Sequence, residues 1–113
     1  LTPATRWLLD AAALAQMSPG AALINFSRGP IVDTAALLNH LDSGHLSHAV
    51  LDVFETEPLP RDSPLWHHPN ITVLPHISAT TTKTTAANVV ADNLRRFLTT
   101  GDIPPSVNRA WGY

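Results

Sequence analysis

Three short apolar runs in this chain each end on side chains able to do chemistry. "AALINFS" (21–27) runs into Arg28-Gly29, "SHAVLDVF" (47–54) carries Asp52 near its end and leads to Glu55 and Glu57, and "ITVLPH" (71–76) closes on Pro75-His76. Glu55 and Glu57 are the only glutamates present. An arginine offers a planar, permanently charged fork that grips a carboxylate through two parallel hydrogen bonds. A histidine titrates near neutrality and passes a proton to or from an oxygen. A carboxylate bonded to the far ring nitrogen fixes the imidazole tautomer and favours its protonated form. A cation for an anionic substrate, a proton donor and an acid that orients the donor together describe reduction of a 2-keto acid. The hydride for that reaction must come from a cofactor.

Such groups meet only if the three runs are neighbouring strands that end at the same edge. In open parallel sheets, ligands bind beyond the carboxyl ends of the strands. The local signals support that arrangement. Thr2 precedes Pro3 as the cap of a short helical turn. Asp10 is placed to cap "AAALAQM", which "SPG" ends. Asp33 caps "TAALLNHLDS", with Gly44 as its stop and Leu37, Leu38 and Leu41 on one face. Continuous apolar character makes 21–27, 47–54 and 71–76 buried strands. Five of the ten prolines fall between Pro58 and Pro75, marking a stiff, extended loop. A long amphipathic helix follows, with Ala87, Val90, Leu94 and Phe97 in one stripe and Gly101 just beyond its end. Strand and helix alternate, which predicts an α/β fold with a parallel sheet covered on both faces. Three strands are few for a doubly wound sheet, so the expected architecture is a partial Rossmann-like three-layer parallel sheet. It corresponds to the second half of a dinucleotide-binding domain. No G-x-G-x-x-G phosphate turn occurs in the sequence.

Composition narrows the function classes. With 113 residues, 44% of them hydrophobic and 14% charged, the chain can bury a core and is not a disordered segment. A formal net charge of −2 leaves no basic footprint for nucleic acid. The absence of cysteine removes disulfide and thiolate-zinc scaffolds and fits a reducing, cytoplasmic compartment. No apolar run reaches the length of about 20 residues that a membrane span needs. "LTPATRW" carries no signal-peptide pattern and reads as the start of a piece of something longer.

At this point the residues carry a family resemblance. The chain from "GAALINFSRGPIVD" to "ITVLPHISA" resembles the C-terminal half of the nucleotide-binding domain of D-isomer-specific 2-hydroxy acid dehydrogenases. Three motifs stand in order and at matching spacing: N-x-x-R-G at Asn25–Gly29, D-V-F-x-x-E-P at Asp52–Pro58, and P-H-x-x-A at Pro75–Ala79. "EPLPRDSPLWHHPNITVLPHISA" and the tail "VNRAWGY" are most similar to glyoxylate/hydroxypyruvate reductases. The resemblance implies that Arg28 binds the substrate carboxylate, that His76 is the acid in reduction and the base in oxidation, and that Glu57 rather than Glu55 partners His76. It implies that Asp52 bonds the nicotinamide carboxamide, with further cofactor contacts from Phe26, Ser27, Arg28, His76, Ser78 and Ala79. The cofactor would be NAD or NADP, the selector between them lying outside this sequence, and the assembly a homodimer. Residues 80–113 would form a long helix and tail returning toward a substrate domain.

Plainer readings stand beside these. Arg28 can pair with Asp33 or with helix-end carbonyls, Glu55 reads as a solvated loop residue, and Pro58 and Pro60 as a brace for Glu57. Trp66 reads as the apolar anchor of the long loop, or as part of the site's rim. His40, His45 and His48, and the pair His67-His68, have loosely ligand-like spacing, but no carboxylate completes a recognisable set and no metal site is expected. The alternative function is a nucleotide-sensing, corepressor-like interaction protein on the same fold. The 113 residues alone are expected neither to turn over substrate nor to bind a dinucleotide tightly.

Overall fold

The computed structural model describes residues 1–78, 80–104 and 106–111. They fall into two compact units, Leu1–Ala79 and Thr80–Tyr113.

The first unit opens with a 3-10 turn at Pro3–Thr5 and then forms α1 (Ala11–Ala15), β1 (Ala21–Asn25), α2 (Thr34–Asp42), β2 (Leu46–Leu51) and β3 (Ile71–Val73). Both helix starts are chemically specified. Asp10 accepts the Ala13 N–H at 2.8 Å and Asp33 accepts that of Ala36 at 3.0 Å, each satisfying a donor with no partner inside the helix. Past the end of α2, Gly44 takes φ +74°, the left-handed conformation that glycine adopts without strain.

The strands are parallel and ordered β1-β2-β3. Their register sets the site. Asn25 pairs with Leu51, and Leu51 with Val73, so the three carboxyl ends lie in one row. Arg28 and His76 each stand three residues beyond that row, and Asp52 stands immediately beyond it. Leu14, Leu23, Leu37, Leu41, Leu46 and Ala49 form the centre of the core.

Two strand expectations need correction. β1 is not buried on both faces: Leu23 and Asn25 are covered, whereas Ile24 is 66% exposed. Alternate side chains of a strand point to opposite faces, and the core lies on one of them. β2 and β3 are also shorter than their apolar runs. β2 ends at Leu51, ahead of a buried Asp52 and Val53, and β3 ends at Val73, two residues before Pro75, which has no N–H for a ladder. The stretch between Phe54 and Ile71 contains a 3-10 turn at Pro64–Trp66, and its Glu57–Pro58 bond is cis.

The second unit holds α3 (Lys83–Thr100), which Gly101 ends at φ +75°. Its Arg95 reaches Asp92 at 2.6 Å, and Arg96 reaches Asp102 at 3.3 Å.

Candidate active site

Arg28 stands on a loop organised by Asn25. That side chain is buried at the end of β1, and its Oδ1 accepts the Ser27 N–H at 3.1 Å and the Ser27 hydroxyl at 2.7 Å. Its amide nitrogen donates to the Arg28 carbonyl at 3.1 Å. Arg28 is extended and exposed, with Nη1 donating to the Ser27 carbonyl at 2.7 Å. No pairing with Asp33 forms, because the Asp33 carboxylate is used as the cap of α2.

Glu57 uses both of its oxygens. Oε1 accepts the Phe54 N–H at 2.9 Å, and Oε2 lies 2.8 Å from His76 Nδ1. The Phe54 hydrogen bond, then the bond to His76 and the fields of His76 and Arg28, hold this carboxyl below its ordinary range despite the opposing cost of desolvation. An ionised carboxylate can only accept, so a hydrogen bond between the two groups places the proton on Nδ1. His76 has φ +56°, a conformation that non-glycine residues seldom adopt. The backbone just after it is held by Asp52, whose Oδ1 accepts the Ile77 N–H at 3.0 Å and whose Oδ2 accepts that of Ser78 at 2.9 Å. Burial pushes the Asp52 carboxyl up, but the Ser78 and Ile77 N–H groups, the Ser78 hydroxyl and nearby His76 outweigh it and leave it lowered. A cleft of about 240 Å³ adjoins the pair, lined by Glu57 and His76 with Leu59, Trp66, Val73 and Leu74.

Arg28, Glu57, Asp52 and His76 are thus brought to one edge by three separate segments. Phe26 is 45% exposed at that edge, and Ser27 and Ser78 are engaged with Asn25 and Asp52. Ala79 lies outside the described residues. Glu55 is an exposed loop residue, as expected, and its Oε1 also accepts the Trp7 indole N–H at 2.8 Å. Leu65, at 3% exposure, is the loop's buried apolar residue, while Trp66 is half-exposed, lines the cleft beside His76 and donates Nε1 to the Pro60 carbonyl at 2.8 Å. The other histidines are dispersed. His68 bonds Asp42 at 3.1 Å, His48 lies 2.9 Å from the Thr72 hydroxyl, and the rings of His40 and His45 meet tilted at 54°, their centroids 5.1 Å apart.

Asn25 and Trp7 went unassigned in the sequence. Asn25 had a usable signal, a short amide two residues before a serine, where Asx-type turns form. Trp7 had none.

The three parallel strands and their helices define part of a Rossmann-like α/β domain. Residues 1–78 match the family described as D-isomer specific 2-hydroxyacid dehydrogenase, NAD binding domain, and the chain belongs to that family. It is 39% identical over 112 residues to glyoxylate/hydroxypyruvate reductase A of Salmonella paratyphi B, covering 99% of this chain and 36% of that protein. Among solved structures it is similar to a D-isomer specific 2-hydroxyacid dehydrogenase from Xanthobacter autotrophicus Py2 in complex with NADPH and MES. That likeness has 46% identity and a TM-score of 0.91, over all of this chain and 47% of the other. An NADPH-dependent glyoxylate/hydroxypyruvate reductase from Sinorhizobium meliloti in complex with NADP and sulfate matches at 38% identity and TM-score 0.87, over all of this chain and 37% of that one. The chain therefore spans about a third of the curated relative's length.

Proposed function

We propose that the protein carrying this chain reduces a small 2-keto acid of the glyoxylate or hydroxypyruvate type to the D-2-hydroxy acid, with NADH or NADPH as reductant. The observation that carries this reading is the Phe54–Glu57–His76 relay, with Arg28 close enough for its charge to act on Glu57.

A nicotinamide ring suits this edge because the half-exposed Phe26 offers apolar surface beside an acid–base pair and a cation. Phe26, Ser27, Asp52 and Ser78 are assigned to that cofactor edge, together with the backbone of Arg28 and His76. The reduced cofactor supplies the hydride. Arg28 binds the substrate carboxylate in a bidentate fashion and draws the keto oxygen into its field. His76, protonated on both nitrogens, gives the Nε2 proton to that oxygen as negative charge develops on it. Glu57 keeps the ring oriented and stabilises its charge before transfer, and in the oxidative direction it steadies the imidazolium that forms. Asp52 acts by fixing residues 77–78 and, through them, the unusual backbone of His76.

The test is turnover of glyoxylate and hydroxypyruvate, followed as NADPH oxidation by the protein that carries this chain. His76→Ala and Arg28→Ala are each expected to lower kcat/KM by about 10²–10⁴-fold, the range of a lost acid or charge clamp. Wild-type turnover by His76→Ala would end the assignment.

A further inference from the structure

Among the described residues, the non-glycine positions with positive φ are Trp7, at +51°, and His76, at +56°. A bulky residue stays in that conformation only when its surroundings over-determine it. Both are held by the same short turn. His76 bonds Glu57, and the Trp7 indole N–H bonds Glu55 Oε1 at 2.8 Å, across 48 residues of sequence. The Trp7 backbone N–H donates to the Pro30 carbonyl at 2.8 Å, and Leu9 N–H donates to that of Ile31 at 3.0 Å. Segment 7–9 thus lies along segment 30–31, just after Arg28. The loop carrying Gly29 in turn crosses residues 54–55 in close contact, because a β-carbon on Gly29 would run into the backbone of Phe54 and Glu55. Phe54 is also the residue whose N–H holds Glu57.

We propose that Trp7 and Glu55 are positioning residues, a clasp that fixes the 54–57 turn against Arg28-Gly29-Pro30 and so sets the orientation of the Glu57–His76 pair. The reading rests on the function proposed above. The clasp touches neither substrate nor proton. It ties one end of the turn so that the Phe54 N–H stays aimed at Glu57, and Glu57 at Nδ1 of His76. Catalytic groups act within tight geometric limits, so a loosened turn slows the chemical step more than it weakens binding.

Three variants of the protein that carries this chain test this. Trp7→Phe keeps the ring and removes the indole donor, Glu55→Ala removes the acceptor, and Glu55→Gln retains an acceptor oxygen. The first two are each expected to lower kcat for glyoxylate about three- to thirtyfold with KM within about twofold, while Glu55→Gln recovers most of the parent rate. The double variant Trp7→Phe/Glu55→Ala should be no slower than the slower single one, since both delete one bond. Losses that multiply in the double variant, or single variants that keep the parent kcat, overturn the clasp. Magnetic resonance supplies a readout independent of turnover. Exchange of the His76 Nδ1–H with water should quicken at least about tenfold in Trp7→Phe and Glu55→Ala but not in Glu55→Gln. Unchanged exchange in all three overturns the clasp, whether or not a 2-keto acid proves to be the substrate. An active parent whose His76→Ala variant is equally active sinks the functional reading instead.

Discussion

At Glu57 and Asp52, all four carboxylate oxygens accept hydrogen bonds from groups that the fold must place, among them the N–H groups of Phe54, Ile77 and Ser78 and Nδ1 of His76. Both carboxyls are lowered in the folded chain, Asp52 against its own desolvation. The sign of the linkage follows. The unfolded chain binds protons at these groups at higher pH than the folded one, so their stabilisation is present above the ordinary carboxyl pKa. It is lost as the pH falls through the lowered folded values. The thermal midpoint of the protein carrying this chain, followed by circular dichroism, should therefore hold from neutrality downward and decline below about pH 4. Asp52→Asn presents one NH₂ group to backbone donors where an oxygen stood. It should lower the midpoint at pH 7 and flatten the decline in acid. A parallel acid decline in Asp52→Asn and parent would remove Asp52 from this account.

At the scale of elements, the decisive contact is the crossing of the loop after β1 with the loop after β2. Gly29 is required there for room and not for conformation, since its β-carbon would meet the carbonyl group of Phe54 and the nitrogen of Glu55. Backbone cannot rotate away as a side chain can. Gly29→Ala should push the two loops apart, separate Arg28 from the Glu57–His76 pair, and lower kcat/KM by about 10²-fold along with the thermal midpoint. Gly20→Ala makes the useful contrast. Gly20 has open space around it but φ +78°, so the substitution strains the turn before β1 and should lower the midpoint while leaving kcat/KM unchanged. Equal kinetic effects from the two substitutions would show that the crossing is not specific to the site.

At the scale of the molecule, the three parallel strands bring Arg28 and the Glu57–His76 pair to one edge, yet the sequence holds no glycine-rich turn for a pyrophosphate. Much of a dinucleotide's binding energy comes from that turn and the helix N-terminus behind it. The protein that carries this chain should gain thermal stability on adding NADPH, by about 2.7 kcal/mol at a hundredfold excess over Kd. The 113-residue chain by itself should show no such shift. Submicromolar NADPH binding by the isolated chain, measured calorimetrically, would show that its strand edge suffices without the phosphate turn.

Signals that act over a few residues were legible in the sequence, because they are satisfied locally. Asp10 and Asp33 cap helices through N–H groups three residues away, and glycines mark the turn after α2 and the end of α3. The three apolar runs announced three strands, and the motifs on which they end pointed to Arg28, Glu57 and His76. The motifs had already set Glu57 rather than Glu55 against His76, and tertiary structure alone gave Glu55, Leu65, Trp66 and Asp52 their partners. Glu55 and Glu57 differ by two positions, but one turns to Trp7 and the other to His76, partners 48 and 19 residues away. Leu65 and Trp66 are adjacent apolar residues, yet only the leucine enters the core. Asp52 became the support of the backbone after His76 through donors 25 and 26 residues distant. Local propensity carries no term for contacts across such separations. They form only once parallel pairing has aligned Asn25, Leu51 and Val73 and brought the three loop entrances to the same edge.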